Sequence, residues 1–153
     1  MKFVVYGIWN EERAKLEEVS KAYGFEYVAT SEPISVNNIS LCVGADGVSG
    51  LGKVSVDEPI LQALKNAGIR YFSTRTVGYN HIDLEAAKRL GIRVCNSNYP
   101  PDSVAEFSVM LMLLLLRKYK QTLWRQQVND YSLTGLKGET LAGMTVGVMG
   151  GGK

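Results

Sequence analysis

Short β-branched and aromatic runs alternate with polar stretches of periodic apolar content along most of this chain. Residues 3–8 (FVVYGI) read as a strand, and Asn10, Glu11 and Glu12 after them supply a helix N-cap with acidic residues in the first turn. That helix is predicted to reach Tyr23, end at Gly24 and hand over to an extended run over residues 25–29. From residue 30 to 41 the pattern weakens to polar connection with one helical turn, and Gly47 to Gly50 look like the end of a short strand following Asp46. Asp57 then caps a helix with Pro59 in its first turn, Ile60, Leu61, Leu64 and Ala67 on one face, and Gly68 at its end. Residues 69–73 form the next strand. Asn80 and Asp83 have N-cap and N3 spacing for a helix that closes at Gly91, and residues 92–95 are a further strand. Strand-helix-strand units of this length imply right-handed crossovers and a parallel sheet, hence an α/β fold of the open, doubly wound kind. Such sheets bind ligands beyond the carboxyl ends of their strands, which singles out the loops at 49–53, 74–79 and 97–102.

The second part of the chain reads differently. Pro100-Pro101 interrupts regular structure, and Ser103 and Glu106 have capping-box spacing at the head of a long helix predicted to run to Gln127. Its apolar stretch over residues 107–116 is bounded by Glu106 and Arg117, well short of the ~20 residues a bilayer requires. A helix so long and apolar suits a position between two domains. The expected organisation is therefore a first α/β domain over residues 1–101, an interdomain helix over 102–128, and a connection that starts a second domain over 129–153. In that last segment residues 144–149 (MTVGVM) are predicted to restart a buried strand.

Composition narrows the partners. The 17 basic and 15 acidic residues are scattered, giving a net charge of +2 without the clustered Lys and Arg of a nucleic-acid or membrane footprint. Neither kind of partner is expected. Met1-Lys2-Phe3 leads straight into the first strand with no signal-like apolar region, so a cytoplasmic location is expected. Cys42 and Cys95 form no CxxC pair, and the single His81 does not complete a zinc set with them; both read as small buried apolar residues, and no metal site is expected.

The chain closes on Gly150-Gly151-Gly152-Lys153 directly after the predicted last strand. A buried strand followed by Gly-x-Gly is where a Rossmann fingerprint begins, with Gly150 permitting the tight turn and Gly152 the approach of backbone to a pyrophosphate. The third glycine and the ribose-binding acidic residue would fall beyond the sequence given, so the chain reads as an N-terminal fragment. The same residues also fit most of a P-loop, because Gly147 and Gly152-Lys153 have the spacing G-x-x-x-x-G-K. Against the P-loop, Gly147 lies inside the apolar run and not at its end.

Two further motifs bear on that choice: residues 74–83 (TRTVGYNHID) and 98–106 (NYPPDSVAE). Together they resemble the D-isomer-specific 2-hydroxyacid dehydrogenases, with the likeness strongest to the D-lactate dehydrogenase branch, including its vancomycin-resistance type. The likeness is weak before Asp57, strong from Tyr71 onward, and favours the Rossmann reading over the P-loop. It implies a flavodoxin-like substrate-binding domain, NAD as cofactor, a 2-oxo acid such as pyruvate as substrate, and a homodimer for the full-length protein. It also implies that the catalytic Arg, Glu and His come later than residue 153, so that no catalytic residue is named here and the chain alone is inactive. By the same resemblance the N–H groups of Val77 and Gly78 bind the substrate carboxylate, and Tyr99 stands on the active-site loop. Leu51 takes the place where some relatives carry a bulky aromatic gatekeeper, and Gly150 and Gly152 begin the cofactor turn. His81 is expected to be structural, and Arg75 either stays near the anion site or pairs with an acidic neighbour. A non-catalytic NAD-binding regulatory protein of the same fold is the rival from another class, and activity with a 2-oxo acid separates the two.

Overall fold

The computed structural model describes residues 1–151 and divides into two compact units, Met1–Tyr99 and Pro100–Lys153. In the first unit five strands, β1 Lys2–Tyr6, β2 Glu26–Thr30, β3 Gly47–Gly50, β4 Tyr71–Thr74 and β5 Arg93–Cys95, alternate with helical segments. These are helix α1 Asn10–Tyr23, a 3-10 turn over Val36–Cys42, helix α2 Glu58–Asn66 and helix α3 Leu84–Leu90. All strand pairs are parallel, in the order β2-β1-β3-β4-β5. This is the flavodoxin-like, doubly wound order.

Alternation along the strands decides what each face carries. Val28, Val4, Val48, Phe72 and Val94 are neighbours in register across all five strands, and they face the core formed with Ile39, Cys42, Ile60, Leu61, Leu64, Ala86 and Ala87. The opposite face presents Phe3, Val5, Ser49, Tyr71, Ser73 and Cys95, where Leu16 of α1 borders one side of an apolar hollow of about 350 Å³. One face is thus closed by two helices and the 3-10 turn, the other only in part.

The local signals work largely as their chemistry requires. Gly24 and Gly91 end α1 and α3 in the left-handed conformation, with φ of 65° and 71°. Asp57 accepts from the Ile60 N–H at 3.3 Å to cap α2. The α1 cap lies one residue earlier than Asn10: Trp9 is the N-cap, and the Glu12 carboxylate accepts its N–H at 2.8 Å. Helix α3 is capped by Asp83, whose carboxylate accepts from Ala86 N–H at 2.9 Å, and not by Asn80. The reason is tertiary: an isolated parallel bridge joins Val56 to Ile82, with Val56 N–H donating to His81 O and Asp83 N–H to Val56 O, so residues 80–82 are held out of the helix.

Four further expectations are corrected. Cys42 is buried but Cys95 is exposed, since β5 is an edge strand and places it on the partly covered face. The single long helix is two helices, α4 Asp102–Leu116 and α5 Tyr119–Gln127, separated at Lys118 with φ of 50°. There the Leu116 carbonyl accepts the N–H of Glu139 at 3.0 Å, and Gly138 approaches so closely that a Cβ on it would lie 2.7 Å from that oxygen. The Ser103–Glu106 capping box does not form, because the helix is already under way at Asp102 with Pro101 O taking the N–H groups of Val104 and Ala105. Residues 144–149 form no strand and are exposed, because no neighbouring strand among the described residues takes up their N–H and C=O groups. Among the described residues no helix is long and apolar enough to cross a membrane.

Two outcomes follow from the packing. A Cβ at Gly50 would stand 2.9 Å from Cζ of Phe72, itself 1% exposed, so Gly50→Ala is expected to lower stability by about 1–3 kcal/mol in urea unfolding. Burial pushes the Cys42 thiol above its ordinary value, so a thiol reagent at pH 8 is expected to titrate one fast group, Cys95, and to reach Cys42 only on unfolding.

Candidate functional site

In the order β2-β1-β3 the chain leaves β1 and β3 in opposite directions, opening a crevice at the carboxyl ends of these two strands. Four segments gather there: residues 7–9 after β1, 51–56 after β3, 75–83 after β4 and 96–99 after β5. The first of them is absent from the three loops expected from sequence, because strand order is invisible before the sheet is built.

Arg75 organises the crevice. Its Nη2 donates to the carbonyls of Tyr6 and Gly7, both at 3.1 Å, its Nη1 to Ser49 Oγ at 3.2 Å, and its Nε to Glu12 Oε1 at 3.3 Å. The planar fork thus serves the end of β1, the flank of β3 and the first turn of α1 together. Its charge is matched by Glu12, an acidic partner of the kind expected for it. Beside it, Leu51 stands next to Gly7, where a Cβ added to that glycine would lie 3.6 Å from Leu51 Cβ, and Lys53 Nζ lies 5.2 Å over the exposed Trp9 ring.

The loop after β4 is pinned on several sides. Ser97 N–H donates to Thr76 O at 3.1 Å, Asn96 Nδ2 to Val77 O at 2.8 Å, and Thr76 Oγ1 to Gly78 O at 2.7 Å. The carbonyls of the loop are therefore engaged, while the N–H groups of Val77 and Gly78 find no acceptor among the described residues. Gly52 packs against the loop, since a Cβ there would be 3.2 Å from Thr76 Cγ2 and 3.3 Å from His81 Cε1. The β3 and β4 loops are neighbours for this reason. Tyr99 follows the Asn96 and Ser97 anchors and is half exposed.

Gly78 differs from Gly52. Its φ lies outside the left-handed region, and a Cβ would meet nothing within 4 Å among the described residues. Neither turn geometry nor a neighbouring atom calls for glycine there; what glycine provides is open access to the unpaired N–H groups.

Gly150 is exposed with φ of 88°, a conformation that suits glycine, and Gly152 lies outside the described residues. Without a strand before it, the stretch around Gly150 does not form the strand-turn-helix cradle that a dinucleotide needs. No group of three His, Cys, Asp or Glu side chains among the described residues is placed to hold a metal ion.

An open parallel α/β domain of this strand order belongs to the class whose ligand crevice lies at the carboxyl edge of the sheet. Comparison makes the class specific: the family model of the D-isomer specific 2-hydroxyacid dehydrogenase catalytic domain matches residues 4–148, and the chain belongs to that family. An aromatic 2-oxoacid reductase of Clostridium sporogenes is 38% identical over 100% of this chain and 46% of its own length. The apo-structure of D-lactate dehydrogenase from Escherichia coli superposes with a TM-score of 0.83 at 32% identity, over 99% of this chain and 49% of that one. A D-lactate dehydrogenase from Lactobacillus jensenii, solved with NAD+, superposes with a TM-score of 0.67 at 28% identity, over 86% of this chain and 41% of that one. The chain spans about half the length of the relatives it matches.

Removal of the Arg75 fork is expected to loosen the crevice. Arg75→Ala should lower stability by about 1.5–3 kcal/mol in urea unfolding, because two strand-end carbonyls and Glu12 lose a charged donor. Arg75→Lys should recover only part of the loss, since a point charge does not reproduce the fork.

Proposed function

We propose that this chain provides the substrate seat of an NAD-dependent D-2-hydroxyacid dehydrogenase, which reduces a 2-oxo acid such as pyruvate to the D-2-hydroxy acid. The observation that carries this reading is the pair of unpaired N–H groups at Val77 and Gly78, beside a glycine that the chain's own packing does not require. Two N–H groups on one loop match the two oxygens of a carboxylate, and the opening beside Gly78 lets such a group approach backbone. Leu51 and Tyr99 lie on the loops to either side, where they would meet the remainder of the substrate. The comparisons support the class: one relative carries the name of an aromatic 2-oxoacid reductase, another that of a D-lactate dehydrogenase.

In this reading the chain's own task is to bind and orient. Fixing the carboxylate at Val77 and Gly78 places C2 of the 2-oxo acid at a set distance from the loop, which is the orientation part of catalysis. NAD is the cofactor implied, with Gly150 and Gly152 beginning its turn and residues outside this chain supplying the rest of the site, together with the Arg, Glu and His that the family uses for chemistry. The chain alone is accordingly inactive, and the full-length protein is a cytoplasmic homodimer.

Pyruvate added to the isotopically labelled chain should shift the amide resonances of Val77 and Gly78 first and saturably, while NADH is not consumed. Joined to the second half of the Escherichia coli relative, the chain should oxidise NADH with pyruvate and yield D-lactate. Shifts confined to other residues would remove the carboxylate assignment. A folded hybrid that binds NADH yet turns over no 2-oxo acid would favour the regulatory reading instead.

A further inference from the structure

Thr74 is the one polar residue that is buried in the described part of the chain, at 0% exposure, and its hydroxyl has two partners. Its Oγ1 lies 2.7 Å from Thr76 Oγ1 and 3.2 Å from His81 Nε2, and Thr76 Oγ1 lies 2.7 Å from the carbonyl oxygen of Gly78. The direction of every proton in this series follows from counting donors. A carbonyl only accepts, so the single proton of Thr76 goes to Gly78 O. The Thr74–Thr76 contact must then use the proton of Thr74. With that proton spent, Thr74 accepts from His81, which requires a proton on Nε2.

We propose that His81 is a positioning residue for the carboxylate seat, acting through the Thr74 and Thr76 hydroxyls to fix the Gly78 peptide. The proposal rests on the reading of Val77 and Gly78 given above and adds a residue to it. His81 itself is held from two sides, by its carbonyl, which accepts Val56 N–H at 2.7 Å, and by Gly52, whose lack of a side chain admits the imidazole edge. With the imidazole fixed, the series holds the Gly78 carbonyl, and with it the downstream end of the loop, while Ser97 N–H and Asn96 Nδ2 hold the carbonyls of Thr76 and Val77, whose peptides carry the N–H groups of Val77 and Gly78. The polarity matters as well: a donor at Nε2 is the only arrangement in which all three contacts are satisfied, and a chain of donors of one sense is strengthened along its length. Histidine here holds a loop and transfers no proton.

The ligand-free chain tests the series directly. Nitrogen shifts of neutral His81 should show the Nε2–H tautomer. Thr76→Val should loosen the loop, with amide relaxation order parameters at Val77, Gly78 and Tyr79 falling below about 0.6 while Val48 and Phe72 in the sheet stay near about 0.85. Thr76→Ser, which keeps the hydroxyl, should restore the order of the loop, as should His81→Gln relative to His81→Leu, because the glutamine amide retains a donor. In the pyruvate titration the same variants should follow the same order, with affinity lowered roughly three- to tenfold in Thr76→Val and His81→Leu and recovered in Thr76→Ser and His81→Gln. An Nδ1–H tautomer, or unchanged loop order parameters in Thr76→Val, overturns the proposal. If pyruvate shifts nothing in the unsubstituted chain, the carboxylate reading falls and the role in substrate binding falls with it; the ligand-free tautomer and relaxation results tell that failure from a failure of the hydroxyl series.

Discussion

The row of apolar side chains that runs across the sheet, Val28, Val4, Val48, Phe72 and Val94, is the constraint on which everything else in the first unit depends. Parallel strands have no short connection, so their register is fixed by what they bury and not by hairpin turns. A slip of one residue would turn Ser49, Ser73 and Cys95 towards α2 and α3 and send Val48 and Phe72 to the partly covered face. Once this row is set, the strands end level with one another, and the loops that follow them are brought to one edge. The site is a by-product of that alignment.

At the edge the sheet must be finished, and the way it is finished builds the crevice. The last carbonyls of β1 have run out of ladder partners and are served by the Arg75 fork. The last residue of β4, Thr74, carries a hydroxyl into the core, where it is served by His81 and Thr76. Arg75 and Thr74 are adjacent in sequence and point to opposite sides of the same strand end, so the loop that follows is anchored from both faces. That leaves the amides from Thr76 to His81, those of Val77 and Gly78 among them, without an acceptor among the described residues.

How much of this was legible beforehand differs by level. The alternation of strands and helices, the glycine ends at Gly24 and Gly91 and the Asp57 cap rest on local chemistry and could be read from single segments. The cap of α3 could not: Asn80 and Asp83 both qualify by type and spacing, and the bridge from Val56 to Ile82 chooses between them. The break at Lys118 is of the same kind, since nothing in the helical periodicity around it announces that Gly138 and Glu139 come back to occupy the Leu116 carbonyl. The strand expected over residues 144–149 shows the converse, an extended apolar pattern that is only a strand where a neighbour pairs with it. In the site, Val77, Gly78 and Tyr99 were indicated by family resemblance, whereas the partners of Arg75 and His81 are long-range contacts to β1, α1, the β3 loop and Val56, and no sequence spacing contains them.

Three glycines at this edge show how a site is separated from its scaffold. Gly50 is required by Phe72, which leaves no room for a Cβ, and Gly52 by Thr76 and His81, which it admits to close packing. In both cases the missing side chain is filled by the chain's own atoms. At Gly78 a built Cβ would meet nothing within 4 Å among the described residues and φ is not left-handed, so neither packing nor turn geometry asks for glycine there. The carbonyls of Thr76, Val77 and Gly78 are held by Ser97, Asn96 and Thr76, while the N–H groups of the same loop are left without acceptors among the described residues. In the proposed reading that open stretch of amides is where a substrate carboxylate would sit, close to backbone at the carboxyl edge of a parallel sheet.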